Sequence, residues 1–310
     1  MKSMTRDEAE RIIQRGARIL FEYCKANDIH YIVTGSSGGL DSAVTLGFAS
    51  RACAISRLKS YQLTSVGLVM PCFSKPDATR LGKLAIRTFG AWLHEMELSE
   101  VYQIIERQKL FSSDMHLKEL LEEVGDKQGL VDWEKRQKTA RGNIKARLRM
   151  MLGTYHTANM LHGIVLATGN LSETLMGFWT ICGDVGDFNL IGNIFKGSEL
   201  YDIAEVIGVP KEIIDAKPDA DLGDGNDEEQ LGAPYSVIDP VMIKLIQMGF
   251  DPNGDKDQLD QICPPMDGPT AKIVEQIAMR SLNTAFKRLG TRVLTRKELG
   301  LPAIEDIEIN

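Results

Sequence analysis

A doubly wound α/β fold, a parallel sheet with helices on both faces, is predicted by two features of this sequence. Short β-rich runs alternate with stretches of helical periodicity, and glycine-containing turns stand where strands hand over to helices. The first helix opens on a capping box, Thr5 with Glu8, and sets Ile12, Gly16, Ile19, Leu20 and Tyr23 at helical spacing. Residues 31–34 read as the first strand, followed by a turn with two glycines and a helix beginning near Asp41. The unit repeats: a strand over 65–70, a Ser74/Asp77 cap with Pro76 in the first turn, a helix to Phe89, and a strand over 91–96. Residues 142–161 read as one helix with Ile144, Leu148, Met151 and Tyr155 on a face. It leads into a strand over 163–167 that ends at Thr168-Gly169-Asn170.

In such sheets ligands bind beyond the carboxyl ends of the strands, where the strand order reverses. Both 37–42 and 168–173 are expected there. The charged stretch 100–141 is a helical excursion from the sheet, residues 215–232 read as a mobile loop, and 270–289 read as helix. Residues 1–290 are expected to form one domain, with 291–310 as a tail.

The length of 310 residues with 43% hydrophobic content allows a large core. A net charge of -7 argues against nucleic acid as a partner, because phosphate binding needs a basic surface. Five widely spaced cysteines without a Cys-x-x-Cys pair suggest neither a disulfide framework nor a zinc site. The histidines show no metal-ligand spacing. No stretch has the length and apolarity to span a bilayer, so a cytoplasmic protein with no membrane partner is expected.

The run Ser37-Gly38-Gly39-Leu40-Asp41-Ser42 carries the chemistry. Its glycines let main-chain N–H groups approach a phosphate, and the following helix adds its positive end. Ser37 and Ser42 add hydroxyl donors. Asp41 is repelled by phosphate unless a divalent cation lies between them, which makes it the first magnesium ligand. No Gly-Lys-Ser/Thr follows, so this is not the Walker loop. The bland alternative is a tight strand-to-helix turn capped by Asp41 or Ser42.

Ser-Gly-Gly-x-Asp-Ser resembles the pyrophosphate loop of the ATP pyrophosphatase superfamily, whose fold is the adenine nucleotide alpha hydrolase-like one. Within it the chain resembles the NAD synthetase family, ammonia-dependent type, over nearly its whole length. The resemblance rests on residues 142–150, Thr168-Gly169-Asn170-Leu171-Ser172-Glu173, Gly177-Phe178-Trp179-Thr180, Gly183-Asp184, Lys196, residues 217–222, Asp227-Glu228, Leu231-Gly232 and Lys287-Arg288.

It implies amidation of the nicotinate carboxylate of deamido-NAD with ammonia, through an acyl-adenylate, with release of AMP and pyrophosphate. ATP would be held by residues 37–42, Thr168, Lys196 and Asp219, and the dinucleotide by Arg147, Asp184, Asp187 and Lys287. Magnesium would sit between Asp41 and Glu173, and Asp41 and Lys196 would carry catalysis. For Glu173 a capping role is the alternative, and for Lys196 an exposed turn. Lys138, Arg141, Lys145 and Arg149 share one helical face and read as a solvated stripe.

The resemblance also implies a homodimer, with the first helix and residues 142–161 as its surfaces. Glutamine-using members carry an amidase domain before the first strand, where this chain has only a helix, so free ammonia or a separate ammonia source is expected. Three departures stand out. Ile181 replaces a family lysine, Asp219 replaces a hydroxyl residue, and Phe286 replaces a histidine. They leave open a ligase acting on another small carboxylate such as nicotinate mononucleotide, or a non-catalytic ATP-binding paralogue.

Overall fold

A computed structural model describes residues 3–107, 111–217, 226–259 and 269–299. Among these residues, five strands form one parallel sheet in the order β3-β2-β1-β4-β5. The strands are β1 (Tyr31–Gly35), β2 (Thr64–Val69), β3 (Trp92–Glu95), β4 (Ile164–Ala167) and β5 (Phe188–Asn189). The first four fall on the predicted runs. The two-residue β5 was not foreseen, being too short to show an alternating pattern.

Helices cover both faces. On one lie α1 (Arg6–Ala26), α2 (Leu40–Leu58), α3 (Pro76–Thr88) and the later α10 (Tyr201–Ile207), packed through Ile13, Leu46, Phe48, Ile86 and Ile203. On the other, Val33, Val66, Leu68 and Val165 meet Tyr155, Ala158 and Leu161 of α8 (Tyr155–Leu161). Neighbouring residues Ile32 and Val33 of β1 belong to different cores, as the two-residue period of a strand covered on both faces requires.

The strand order grows outward in opposite directions from β1. Residues Ile32, Val33 and Thr34 pair in register with Ile164, Val165 and Leu166, so β1 and β4 end level with each other. The order reverses between these two strands, and the loops leaving their carboxyl ends lie side by side.

The described part of the excursion is made of helices joined by short turns: α4 (Ser99–Ile105), α5 (Phe111–Glu123), α6 (Lys127–Val131) and α7 (Trp133–Leu148). The expected single helix over 142–161 is divided. After α7, residues Arg149–Thr154 form a π-helix before α8 begins. The wider turn shifts the phase of the helix face. Met151 is therefore exposed, while Arg149 reaches back to the Met70 carbonyl and the Ser74 hydroxyl, both at 3.1 Å. The stripe is not simply solvated either: Arg141 pairs with Asp114 at 2.9 Å, and Lys145 lies over the Tyr102 ring.

The Thr5/Glu8 capping box is present. At α3 the cap differs from expectation, because Lys75 is the N-cap and the Ser74 hydroxyl accepts from Cys72 N instead. Beyond β4 lie α9 (Leu171–Met176), a π-turn at Lys196–Leu200, α11 (Lys211–Ile214), α12 (Asp227–Leu231), α13 (Tyr235–Gln247), α14 (Pro269–Asn283) and α15 (Ala285–Leu289). Helix α12 lies inside the stretch expected as loop, with the Asn226 side chain capping Glu229 N.

Cys24 of α1 and Cys53 of α2 are buried together in the core that packs these helices on the sheet. Burial pushes their thiols up, to about 12 and about 11. Folded-state values above the ordinary thiol value leave stability intact below about pH 9 and erode it as pH rises toward 11. Iodoacetamide at pH 8 should label the exposed Cys182 and spare Cys24 and Cys53 in peptide mapping. Equal labelling of all three would contradict this packing.

Candidate active site

The loop after β1 is shaped from two sides. Ser36 N donates to Leu68 O at 2.7 Å, and the Ser36 hydroxyl donates to Gly82 O of α3 at 3.0 Å. Gly38 has φ +89°, and a Cβ there would lie 2.4 Å from Ala78 O. A Cβ on Gly82 would lie 2.7 Å from Ser36 O. Two hydrogen atoms in place of side chains thus let α3 press against the loop.

Gly39 is the N-cap of α2 and provides no side-chain cap, so the first-turn N–H groups of Leu40, Asp41 and Ser42 lack intrahelical partners. They face a cleft of about 680 Å³ together with Ser37, whose hydroxyl accepts from Gly39 N at 3.2 Å. Free first-turn N–H groups beside a hydroxyl are the donors an anion cradle would need. Thr168 and Asp184 line the same cleft.

Across the reversal point, α9 begins on Asn170, which is fully buried. Its side-chain oxygen accepts from Glu173 N at 2.9 Å, and Glu173 Oε2 accepts from Asn170 N at 3.2 Å. The remaining Asn170 amide group donates to Asp41 Oδ1 at 2.7 Å. One asparagine therefore ties together the two expected magnesium ligands. Glu173 serves both as the capping residue and, through its other oxygen, in the site.

That other oxygen meets Lys196. The ammonium lies 2.8 Å from Asp41 Oδ2, 3.4 Å from Glu173 Oε1 and 3.5 Å from Asp227 Oδ2. It also sits 4.7 Å from the centroid of the Tyr235 ring. At 3% exposure, Lys196 is a buried residue and not part of an exposed turn. Its backbone is pinned as well: Lys196 N donates to the Ser172 hydroxyl at 2.8 Å, and Gly197 N to Asp239 Oδ2 at 2.7 Å.

Electrostatics follow from this packing. Burial works against the Lys196 charge, but Asp41, Glu173 and Asp227 outweigh it and raise the ammonium above its ordinary value. Burial, reinforced by the Asp41 charge and opposed by Lys196, pushes Glu173 up to about 8. Burial likewise raises Asp227. Once Glu173 is ionised, three carboxylates face one ammonium and leave an excess of negative charge. Among the described residues no group of three side chains could hold a metal ion, so a magnesium ion held by the hard oxygens of Asp41 and Glu173 would need phosphate oxygens to complete its shell.

Asp227, Asn170 and Tyr235 were not singled out as site residues in the sequence. Asn170 was legible in principle as the first letter of an Asn-x-x-Glu capping box. Asp227 and Tyr235 carry no local signal, since only the tertiary fold brings them to Lys196.

The expected dinucleotide contacts are more dispersed. Arg147 is exposed, and its Nε donates to Ile181 O at 3.2 Å. Asp187 is engaged in the scaffold, accepting from Val165 N at 2.8 Å and from the Tyr155 hydroxyl at 3.0 Å. Lys287 donates to Gly177 O and Trp179 O at the end of α9. Asp184 Oδ2 accepts from Thr180 N at 2.7 Å. Asp219 lies outside the described residues.

The chain matches the NAD synthase family model over residues 12–289. It is 30% identical to the NH(3)-dependent NAD(+) synthetase of Pyrococcus furiosus over 287 residues, covering 92% of this chain and 94% of that protein. The synthetase of the same name from Thermoplasma volcanium is 34% identical over 221 residues, 70% of this chain and 77% of its own. Among solved structures, NMN synthetase from Francisella tularensis shares the fold at a TM-score of 0.63 and 22% identity, covering 93% of this chain and 98% of that one. The NH3-dependent NAD synthetase from Campylobacter jejuni does so at 0.63 and 21%, covering 93% and 99%. With a family match over residues 12–289 and 30% identity to a synthetase that it covers almost end to end, this chain belongs to the NAD synthase family.

Proposed function

We propose that this chain is an ammonia-dependent NAD synthase that amidates deamido-NAD at the expense of ATP. The observation that carries the proposal is the meeting of the cradle at 37–42 with Asp41, Glu173 and Lys196 in one cleft at the sheet's reversal point. The names of the Pyrococcus furiosus and Thermoplasma volcanium relatives support ammonia as the nitrogen source.

In the reaction the nicotinate carboxylate oxygen bonds to the α-phosphorus of ATP as the bond to pyrophosphate breaks. Ammonia then bonds to the acyl carbon, loses a proton, and AMP departs. The N–H groups of Leu40, Asp41 and Ser42 and the Ser37 hydroxyl orient the phosphates. Lys196 brings a permanent positive charge, held against rotation by its carboxylates. Asp41 and Glu173 would hold a magnesium ion, which would supply neutralisation of the charge developing on departing pyrophosphate. No side chain is required as a covalent nucleophile, because placement and charge stabilisation account for the acceleration. Arg147, Asp184, Asp187 and Lys287 belong to the dinucleotide side of this proposal, with Thr168 and Asp219 on the ATP side.

A homodimer is part of the same reading. Ile19 of α1 and Met160 of α8 are 48% and 71% exposed, which supports these helices as its surfaces. We place the protein in the cytoplasm, in keeping with widely spaced cysteines. Among the described residues no helix is long and apolar enough to cross a membrane.

Pyrophosphate release should be measured with ATP, magnesium and ammonia against deamido-NAD, nicotinate mononucleotide and unrelated carboxylates. Release with deamido-NAD is expected. Release only with another acid would replace the substrate, and none with any would indicate a non-catalytic nucleotide binder. Asp41→Asn should lower turnover roughly 100-fold or more while leaving thermal unfolding little changed. Wild-type release by this variant would remove Asp41 from the mechanism. Ile19→Glu should shift sedimentation toward monomer, and an unaltered profile would take α1 out of the interface.

A further inference from the structure

Lys196 occupies an unusual position for a residue serving ATP phosphates. Its ammonium lies between Asp41 and Glu173, at 2.8 and 3.4 Å, on the very oxygens that a cation bridging those carboxylates would need. The ammonium and such a cation compete for the same acceptors. A lysine simply expelled from this buried pocket would lose its pairing, and a buried unpaired charge costs several kcal/mol.

The pocket offers an alternative partner. Asp227 is 3% exposed, and its Oδ2 lies 3.5 Å from Lys196 Nζ, longer than an ordinary charge-assisted hydrogen bond. Its other oxygen, Oδ1, is buried and has no hydrogen-bond partner among the described residues. An orphaned carboxylate oxygen beside a lysine is an acceptor waiting for a donor. Tyr235 fixes the carboxylate by donating its hydroxyl to Asp227 Oδ2 at 3.1 Å, and it turns its ring toward the same ammonium at 4.7 Å. A shift of Lys196 toward Asp227 would shorten that contact to ordinary hydrogen-bond distance while lengthening those to Asp41 and Glu173. Charge and cation–π contact would be retained.

We propose that Asp227 and Tyr235 are positioning residues that form a second seat for the Lys196 ammonium, so that Lys196 yields the space between Asp41 and Glu173 to a divalent cation without leaving the active site. This rests on the assignment of Asp41 and Glu173 as magnesium ligands. It sets two positive charges, the ammonium and the cation, beside the same three acids. Asp227 neither touches the reacting atoms nor needs to. It acts through Lys196.

The test is a double-mutant cycle on the full chain, with Mn²⁺ alone as probe, its binding read by electron paramagnetic resonance without ATP. Lys196→Met should tighten Mn²⁺ binding and Asp227→Asn should weaken it, by about threefold or more. A general electrostatic effect gives the same signs, so the cycle decides. With Lys196→Met already in place, Asp227→Asn should have little further effect, because the seat has lost its occupant. Equal weakening by Asp227→Asn in both backgrounds overturns the proposal. Tyr235→Phe changes no charge yet loosens the seat, and should also weaken Mn²⁺ binding. Unchanged affinity in that variant overturns the proposal even if Asp227→Asn does not fold. Asp41→Asn separates the two layers: loss of Mn²⁺ binding there with an additive cycle refutes only the second seat, while retained binding refutes the metal assignment beneath it.

Discussion

The ammonium of Lys196 is the point on which the architecture of the cleft depends, because four helix starts converge on it. Asp41 lies in the first turn of α2, Glu173 in the first turn of α9, Asp227 opens α12 and Tyr235 opens α13. Each of these ends carries a partial positive charge that favours an acid, so the carboxylates are partly stabilised before the lysine joins them. Without the lysine, three buried acids would repel one another. Without the acids, a lysine at 3% exposure would be driven toward its neutral form. Each half of the cluster is therefore a condition for the other, and together they join the sheet to the helices beyond β5.

The sheet makes that convergence possible. Because β1 and β4 are neighbours and end level, Asp41 and Glu173 leave adjacent strand ends at similar height. Asn170 then spans the gap with a single side chain, using its oxygen for α9 and its amide nitrogen for Asp41. Close contact between α3 and the loop holds the cradle from the other side, and it exists only because Gly38 and Gly82 present no Cβ. Backbone geometry and side-chain chemistry thus set the same few atoms from opposite directions.

Much of this was legible in the sequence, for reasons that can be separated. The first four strands and the cradle were readable because periodicity and glycine placement are local properties. Glu173 and Lys196 were reached through the family resemblance, and the fold brings both to Asp41. The π-helix at Arg149–Thr154 was hidden, since its residues fit an α-helical pattern and only its packing against β1 in the fold accompanies the extra residue in the turn. Helix α12 was hidden by its composition: acids and Asn suggested a loop, whereas Asn226 is a cap and Asp227 is drawn inward by Lys196. Helix α13 even accommodates Pro240 one turn in, against the propensity of its sequence.

Two of the three departures from the family pattern, Ile181 and Phe286, lie among the described residues, and their location bears on what they affect. Ile181 is 41% exposed and Phe286 is 62% exposed, and neither touches the carboxylate–lysine cluster. Ile181 instead offers its carbonyl to Arg147, and Phe286 adjoins Lys287, which holds the end of α9. Both lie beside residues expected to contact the dinucleotide. The buried half of the site, where substitution would leave unpaired charge, keeps its residues. The exposed half, where side chains can change at little cost to folding, carries the variation. Under the proposed function, a change in recognition of the amidated acid at these two exposed positions leaves the buried carboxylate–lysine cluster intact.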